Sequence, residues 1–268
     1  MTSGDSNSDA TAESIETRLE DAIHSPSEEV LLHAAGDSAL TEDLALSLLK
    51  RADLPAPALE AIARNSSVAK QRKVRLALAG HPKTPRHVSL PILRLLYTFD
   101  LMRLALTPIV PADVKRAADE ALISRIESIS LGEKLSLARR ASDRIAAALL
   151  RDKEPSLIRA ALENSRLTEA SLVKTLTRSG TPPPVIEAVS HHPKWLLMRE
   201  VRIALLRTEQ LPLARALEFA QSLSPGSLRE ILRNSRLPAS TKSYLLKNLA
   251  NKSAASPAKR PAARRSRS

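Results

Sequence analysis

Apolar residues recur along most of the chain at the three- and four-residue spacing of short helices. Ile15, Leu19, Ala22 and Ile23 share one helical face, and comparable apolar runs of about ten residues follow. Few β-branched residues alternate with polar ones, and the 268 residues include six glycines, so the sequence signals of hairpins are scarce. The pattern predicts an all-α chain with essentially no sheet.

Hydroxyl residues and prolines mark where helices are expected to begin. A Ser or Thr stands directly before a proline, as an N-cap stands before the first helical residue, in Ser25-Pro26, Thr84-Pro85, Thr181-Pro182 and Ser224-Pro225. Ser130 and Glu133 have the spacing of a capping box without proline. Pro91 lies inside an apolar run instead, so we expect it to kink or split that helix.

The segments that follow the predicted helices resemble one another. Seven of them begin with Asp, Asn, His or Thr, which suit a residue leaving a helix: Asp37–Thr41, Asn65–Ala69, His81–Pro85, Thr107–Pro111, Asn164–Thr168, His192–Leu196 and Asn234–Pro238. The intervals between them are irregular (28, 16, 26, 57, 28 and 42 residues), and the register between 112 and 153 stays open. Units that recur every few tens of residues stack into one core, so we predict an α-solenoid of about twelve to fifteen short helices.

Two stretches, Val74–Pro85 and Glu154–Asn164, carry a family resemblance. They resemble HEAT-like helical repeats, and more closely the leucine-rich-repeat-variant type of bacterial α-solenoid, over residues 28–250. The resemblance implies a right-handed stack of short helices whose surface binds a protein or a nucleic acid. Residues 120–150 depart from this pattern. We expect equivalent core positions at Leu76, Leu104, Leu162, Val189 and Leu232.

Charge and composition divide the chain into three predicted segments: a disordered acidic N-terminus at 1–11, the helical-repeat domain at 12–250 and a disordered basic tail at 251–268. Residues 1–60 carry 3 basic and 13 acidic groups, residues 61–250 carry 32 and 16, and residues 251–268 carry 6 and none. The net charge of +12 therefore belongs to the body and tail. A basic body attracts acidic surfaces and polyanions.

Several kinds of chemistry lack their sequence signals. The chain has no cysteine, and its six glycines do not cluster into a phosphate loop or a dinucleotide fingerprint. It has no G-x-S-x-G or H-E-x-x-H motif, no apolar run long enough for a membrane span, and a polar N-terminus unlike a secretory signal. We therefore expect a soluble, cytoplasmic protein that is not an enzyme and uses no cofactor or metal.

Individual candidate residues have simpler structural explanations. His81 and His87 are expected in loops or caps, and neighbouring residues such as His191 and His192 face apart on a helix. Carboxylates such as Asp119 and Glu120, or Asp152 and Glu154, have spacings typical of solvated helix surfaces. A HEAT-like DNA glycosylase, a class that uses Trp and Asp beside a basic face, is the main enzyme alternative. The single tryptophan, Trp195, occupies a repeat loop, where we expect it to pack over the next helix.

The leading functional hypothesis is a scaffold that binds another protein, with an acidic partner favoured by the charge. The alternative is sequence-nonspecific binding of a DNA or RNA backbone by a ridge of loop cations and by the tail. The residues of this alternative are Lys83, Arg166, Lys194 and Arg236 in the loops, and Lys259, Arg260, Arg264, Arg265 and Arg267 in the tail. Basic loops are also common on solvated surfaces, so the ridge has a simpler explanation too. Tyr97, Phe99, Phe219 and Tyr244 mostly fall in apolar runs, which leaves few platforms for stacking bases.

Overall fold

A computed structural model describes residues 17–255, with side chains to residue 250. Within this range the chain forms short α-helices and one 3-10 helix and contains no strand, which confirms the all-α prediction. The predicted N-terminal segment 1–11 and residues 256–268 of the predicted tail lie outside the described residues. The chain divides into two compact units, which meet in sequence at Ile145 and Ala146.

The first unit is a stack of helices in two rows. Its elements are α1 (residues 17–23), α2 (Glu28–Gly36), α3 (Glu42–Leu49), α4 (Ala56–Arg64), α5 (Arg72–Gly80), α6 (Arg86–Leu93), α7 (Thr98–Leu106), α8 (Ala112–Ile123), a 3-10 turn (Ile126–Ser128) and α9 (Leu131–Arg140). Helices two apart in sequence contact each other: α2 with α4 and α6 with α8, and α3 with α5 and α5 with α7. This is the packing of an α-solenoid, in which each repeat contacts its neighbours.

The second unit has the same arrangement with one interruption. Helix α10 (Asp143–Leu149) crosses the boundary, and α11 (Pro155–Leu162), α12 (Glu169–Thr177), α13 (Pro183–His191), the single turn α14 (Pro193–Leu196), α15 (Arg199–Leu206), α16 (Leu213–Gln221), α17 (Pro225–Arg233) and α18 (Ala239–Ala255) follow. Helix α11 contacts α13, and α12, α15 and α17 form a second row. The described residues thus hold eighteen α-helices, more than predicted, and α18 extends past the predicted limit at 250.

Two of the predicted helix starts are confirmed. Ser130 accepts a hydrogen bond from the backbone N–H of Glu133, whose carboxylate accepts from the N–H of Ser130, in a complete capping box. Ser224 accepts from the N–H of Ser227 at 3.3 Å and begins α17. Both caps satisfy amide groups that a helix start otherwise leaves without partners.

The other three proline dipeptides begin their helices later than predicted. Helix α2 begins at Glu28, with Ser27 rather than Ser25 at the N-cap. Pro85 and Pro182 themselves occupy the N-cap positions of α6 and α13, because a fixed φ near −65° also suits the residue that enters a helix. Pro91 does not split α6, which ends two residues later at Leu93.

The predicted core positions are buried at Leu104, Leu162, Val189 and Leu232, but the prediction for Leu76 is wrong. Helix α5 buries Val74 and Leu78, one turn apart. Leu76 lies two residues from each, and each residue turns a helix by about 100°, so its side chain projects from the opposite face.

Hydrogen bonds between equivalent loops connect successive repeats. The Asn65 amide donates to the carbonyls of Ala35 (3.1 Å) and Asp37 (2.7 Å), 30 and 28 residues earlier. The Nε2 atom of His81 lies 3.0 Å from the carbonyl oxygen of Arg51, 30 residues earlier. The Asn65 hydrogen bonds join the ends of α2 and α4, and the contact between His81 and Arg51 joins the ends of α3 and α5. The loops therefore belong to two separate rows, and this explains why a single alignment of them had irregular intervals.

Candidate functional site

A groove of about 450 Å³ lies on the α3–α5–α7 row of the first unit. Its apolar floor is formed by residues from these three helices and from the loop after α7: Leu46, Leu49, Leu76, Ala77, Leu104, Ile109 and Val110. Leu76 projects into it from α5, and Ile109, which is 64% exposed, stands at the α7 side. We call this feature the α5 groove.

The close approach of α5 and α7 at one end of the α5 groove depends on Gly80. A Cβ atom at this position would lie 3.1 Å from Cδ1 of Leu104 and 3.5 Å from Cγ2 of Val110. His81 closes the same end of the groove. Its Nδ1 accepts from the N–H of Lys83 at 3.2 Å, so the proton on Nε2 faces the carbonyl of Arg51. The imidazole is thereby held in place by two partners.

Three cations, Lys50, Lys73 and Arg103, line the rim of the α5 groove. The ammonium of Lys73 is 4.0 Å from the carboxylate of Glu42, a long and exposed contact. The side chains of Lys50 and Arg103 are exposed and form no ion pair or hydrogen bond within the described part of the chain. The rim therefore carries an excess of positive charge beside an apolar floor.

Neighbouring cations on the first unit have internal partners instead. The Arg51 guanidinium donates to the carbonyls of Ile23 and Ser25 at 2.7 and 2.8 Å, and its ion pair lowers the pKa of Asp53 to about 2. Arg72 binds both carboxylate oxygens of Asp100. These residues hold repeats together, whereas Lys50 and Arg103 leave their charges facing solvent.

The predicted cationic ridge has its loop residues in both units, and within the second unit Arg166 and Arg236 lie apart. Lys83 belongs to the first unit, where its ammonium donates to the carbonyl of Asp53 at 3.1 Å. In the second unit the Arg236 guanidinium donates to the carbonyl of Thr177, at the end of α12. Arg166 precedes α12, and a nine-residue helix is about 13 Å long, so Arg236 and Arg166 lie near opposite ends of α12. Lys194 instead stacks over the Trp195 ring, 4.1 Å from its centroid. The tail residues Lys259, Arg260, Arg264, Arg265 and Arg267 lie outside the described range, and nucleic-acid binding by all these residues stays a prediction.

Trp195 is a buried packing residue, but it lies in the single turn α14 rather than in a loop, and its hydrogen bond runs to the earlier helix α11 rather than to the next helix. Its side chain is 1% exposed, and its Nε1 donates to the carbonyl of Leu162, the last residue of α11, at 3.0 Å. The indole thus fills the space between repeats, as Asn65 does in the first unit. The indole is therefore enclosed within the second unit rather than presented on its surface.

Other candidate residues lie differently from what the sequence indicated. Asp119 was expected on a solvated surface but is 6% exposed, accepts from the Ser142 hydroxyl at 2.7 Å, and burial raises the pKa of its carboxyl. Of the four aromatic residues expected in apolar runs, only Phe219 is buried, and Tyr97 is 66% exposed beneath the Arg72 guanidinium. No set of three metal-ligating side chains occurs among the described residues.

Sequence reasoning missed the residues that define the α5 groove. Lys50, Lys73 and Arg103 are ordinary surface cations in the sequence, and Leu76 was placed in the core. One signal was present: apolar residues at 74, 76 and 78 of α5 alternate, and a helix cannot bury all three on one face. The surplus leucine indicates an exposed apolar face.

Comparisons of the chain with protein-family models, curated proteins and solved structures return no match. None of the described helices has the length and apolar character needed to cross a membrane.

Proposed function

We propose that this chain is a non-enzymatic helical-repeat scaffold that binds another protein through the surface of its first unit. The observation that carries the proposal is the α5 groove, an apolar floor beside unpaired cations. Large apolar residues that stay accessible on a folded protein are typical of interaction sites. Stacked helices offer long, rigid surfaces of this kind.

An acidic protein is the partner that the charge favours. The described part of the first unit beyond residue 60 is rich in Lys and Arg, and long-range attraction speeds the approach of an oppositely charged partner. The polar groups of His81, Arg51 and Asn65 are already used to join repeats. They maintain the shape of the surface, which supports a role in binding rather than in chemistry.

Affinity purification of the full chain, with and without nuclease treatment, tests the proposal. Protein partners that survive nuclease treatment are the expected result. Loss of all partners after nuclease treatment would contradict it and favour the nucleic-acid alternative. That alternative also predicts binding to duplex DNA whose log affinity falls with log salt by about 0.9 for each neutralised phosphate.

A further inference from the structure

The α5 groove has a definite pattern of charge and apolar surface along its length. Lys50 follows α3 at one side, Arg103 projects from α7 at the other, and Leu76 and Ala77 of α5 lie between them. Neighbouring packed helices are about 8–10 Å apart, so α3 and α7 are separated by about 16–20 Å. Two free cations therefore flank an apolar floor across three helices.

We infer that the α5 groove binds an acidic segment of a partner protein, with apolar side chains on the Leu76 floor and carboxylates on Lys50 and Arg103. The inference rests on the proposed function and adds the chemistry of the bound segment. An extended chain covers about 16–20 Å in five or six residues, and a helix covers it in eleven to thirteen. The bound segment therefore has acidic residues at one of these separations with apolar residues between them.

Charge complementarity selects this occupant over the others. A nucleic acid would satisfy Lys50 and Arg103 but would leave the apolar floor without a partner, because its phosphate backbone is polar. A purely apolar segment would cover Leu76 and Ile109 but would place no charge beside the two cations. A segment with both features satisfies the whole surface, since contacts at the floor supply affinity and the charged rim supplies register.

Two charge-reversal variants distinguish binding in the α5 groove from attraction by the overall positive charge of the chain. The groove variant carries Lys50→Glu and Arg103→Glu. The control variant carries Arg94→Glu and Arg116→Glu, which make the same change in net charge at exposed residues near the end of α6 and on α8. None of the four side chains has a hydrogen-bond or ion-pair partner within the described range, so both variants should fold. Circular dichroism melting checks this.

The probe is a phage-displayed library of random peptides of about sixteen residues, long enough for either separation, selected on the full-length parent chain. We expect enriched peptides to combine Asp or Glu with apolar residues at the separations given above. Their synthetic forms should bind the groove variant at least about tenfold more weakly and the control variant within about threefold of the parent. A variant at the exposed side of the groove, Ile109→Glu, should lose binding similarly while keeping its melting temperature, because this side chain is 64% exposed.

The inference is overturned if the library yields no enriched peptide, or if the enriched peptides are basic or uncharged. It is also overturned if the selected peptides bind the groove variant as well as the parent, or if duplex DNA or a second copy of the chain binds there more tightly. The groove variant also distinguishes failure of the scaffold proposal from failure of the α5 groove assignment. If it keeps the nuclease-resistant partners of the parent, the scaffold proposal stands and the assignment of the α5 groove fails.

Discussion

Replacing Asn65 with alanine should destabilise the first unit strongly, although the residue lies in a loop. Its amide donates to the carbonyls of Ala35 and Asp37, and its Oδ1 accepts from the N–H of Ser67 at 3.0 Å. Each hydrogen bond contributes about 0.5–1.5 kcal/mol net, and a buried carbonyl left without a donor costs about 1–3 kcal/mol. We expect Asn65→Ala to lower the free energy of unfolding by about 2–4 kcal/mol.

The chain contains a matched control for this prediction. Asn234 opens the corresponding loop after α17, but its side chain is exposed and makes no hydrogen bond among the described residues. Ser235 takes over instead, donating to the carbonyl of Leu206 at 2.7 Å and accepting from the N–H of Leu237 at 3.0 Å. Asn234→Ala should therefore change stability by less than about 0.5 kcal/mol, and Ser235→Ala should cost about 1–2 kcal/mol.

Urea denaturation followed by circular dichroism measures these differences. With a slope of about 2 kcal/mol per molar, Asn65→Ala should move its transition down by about 1–2 M. Trp195 fluorescence reports the second unit, where the Ser235→Ala effect belongs. If Asn65→Ala unfolds within about 0.5 kcal/mol of the parent, or if Asn234→Ala is as damaging, the bonds between loops do not stabilise the repeats.

Substitutions at three further positions test other parts of the structure. Trp195→Phe keeps most of the packing but removes the donor to Leu162, so it should cost about 1–2 kcal/mol in urea denaturation, against about 3–5 kcal/mol for Trp195→Ala. Burial raises the pKa of Asp119 in the folded state, so the folded chain holds the carboxyl proton more tightly than the unfolded chain does. The free energy of unfolding therefore falls as pH rises above the ordinary range of an Asp. Asp119→Asn should remove that fall, and an equal pH dependence of stability in the two proteins above the ordinary range of an Asp would refute the assignment. Thr84→Val should leave stability unchanged or raise it by up to about 1 kcal/mol, because the buried Thr84 hydroxyl has no partner among the described residues; a loss above about 1 kcal/mol in thermal unfolding would contradict this.

The repeat architecture could be predicted because its signals are local. The apolar spacing, the capping box at Ser130 and the cap at Ser224 each depend on residues within one turn. Four of the five predicted core positions are buried for the same reason. The single turn α14 was missed because it is shorter than the pattern that identifies a helix.

The rest depends on which distant residues meet. The burial of Asp119 is matched by Ser142, 23 residues later, and the exposed Tyr97 ring meets the Arg72 guanidinium of an earlier helix. Loops of the two rows have similar sequences because each of them follows the C-terminus of a helix, where the same local geometry is needed. Aligning them as one set placed Arg166 and Arg236 on a single ridge, whereas Arg236 lies at the far end of α12.

Site-specific crosslinking tests most directly whether the α5 groove holds an acidic protein segment. Leu76→benzoylphenylalanine places a photoreactive group in the groove, and the same change at Leu213, which is exposed in the second unit, is the control. Irradiation should attach a partner protein at position 76 but not at 213, and mass spectrometry should locate the crosslink in an acidic segment with apolar residues. Crosslinks to nucleic acid, to a basic segment, or equally at both positions would contradict the claim.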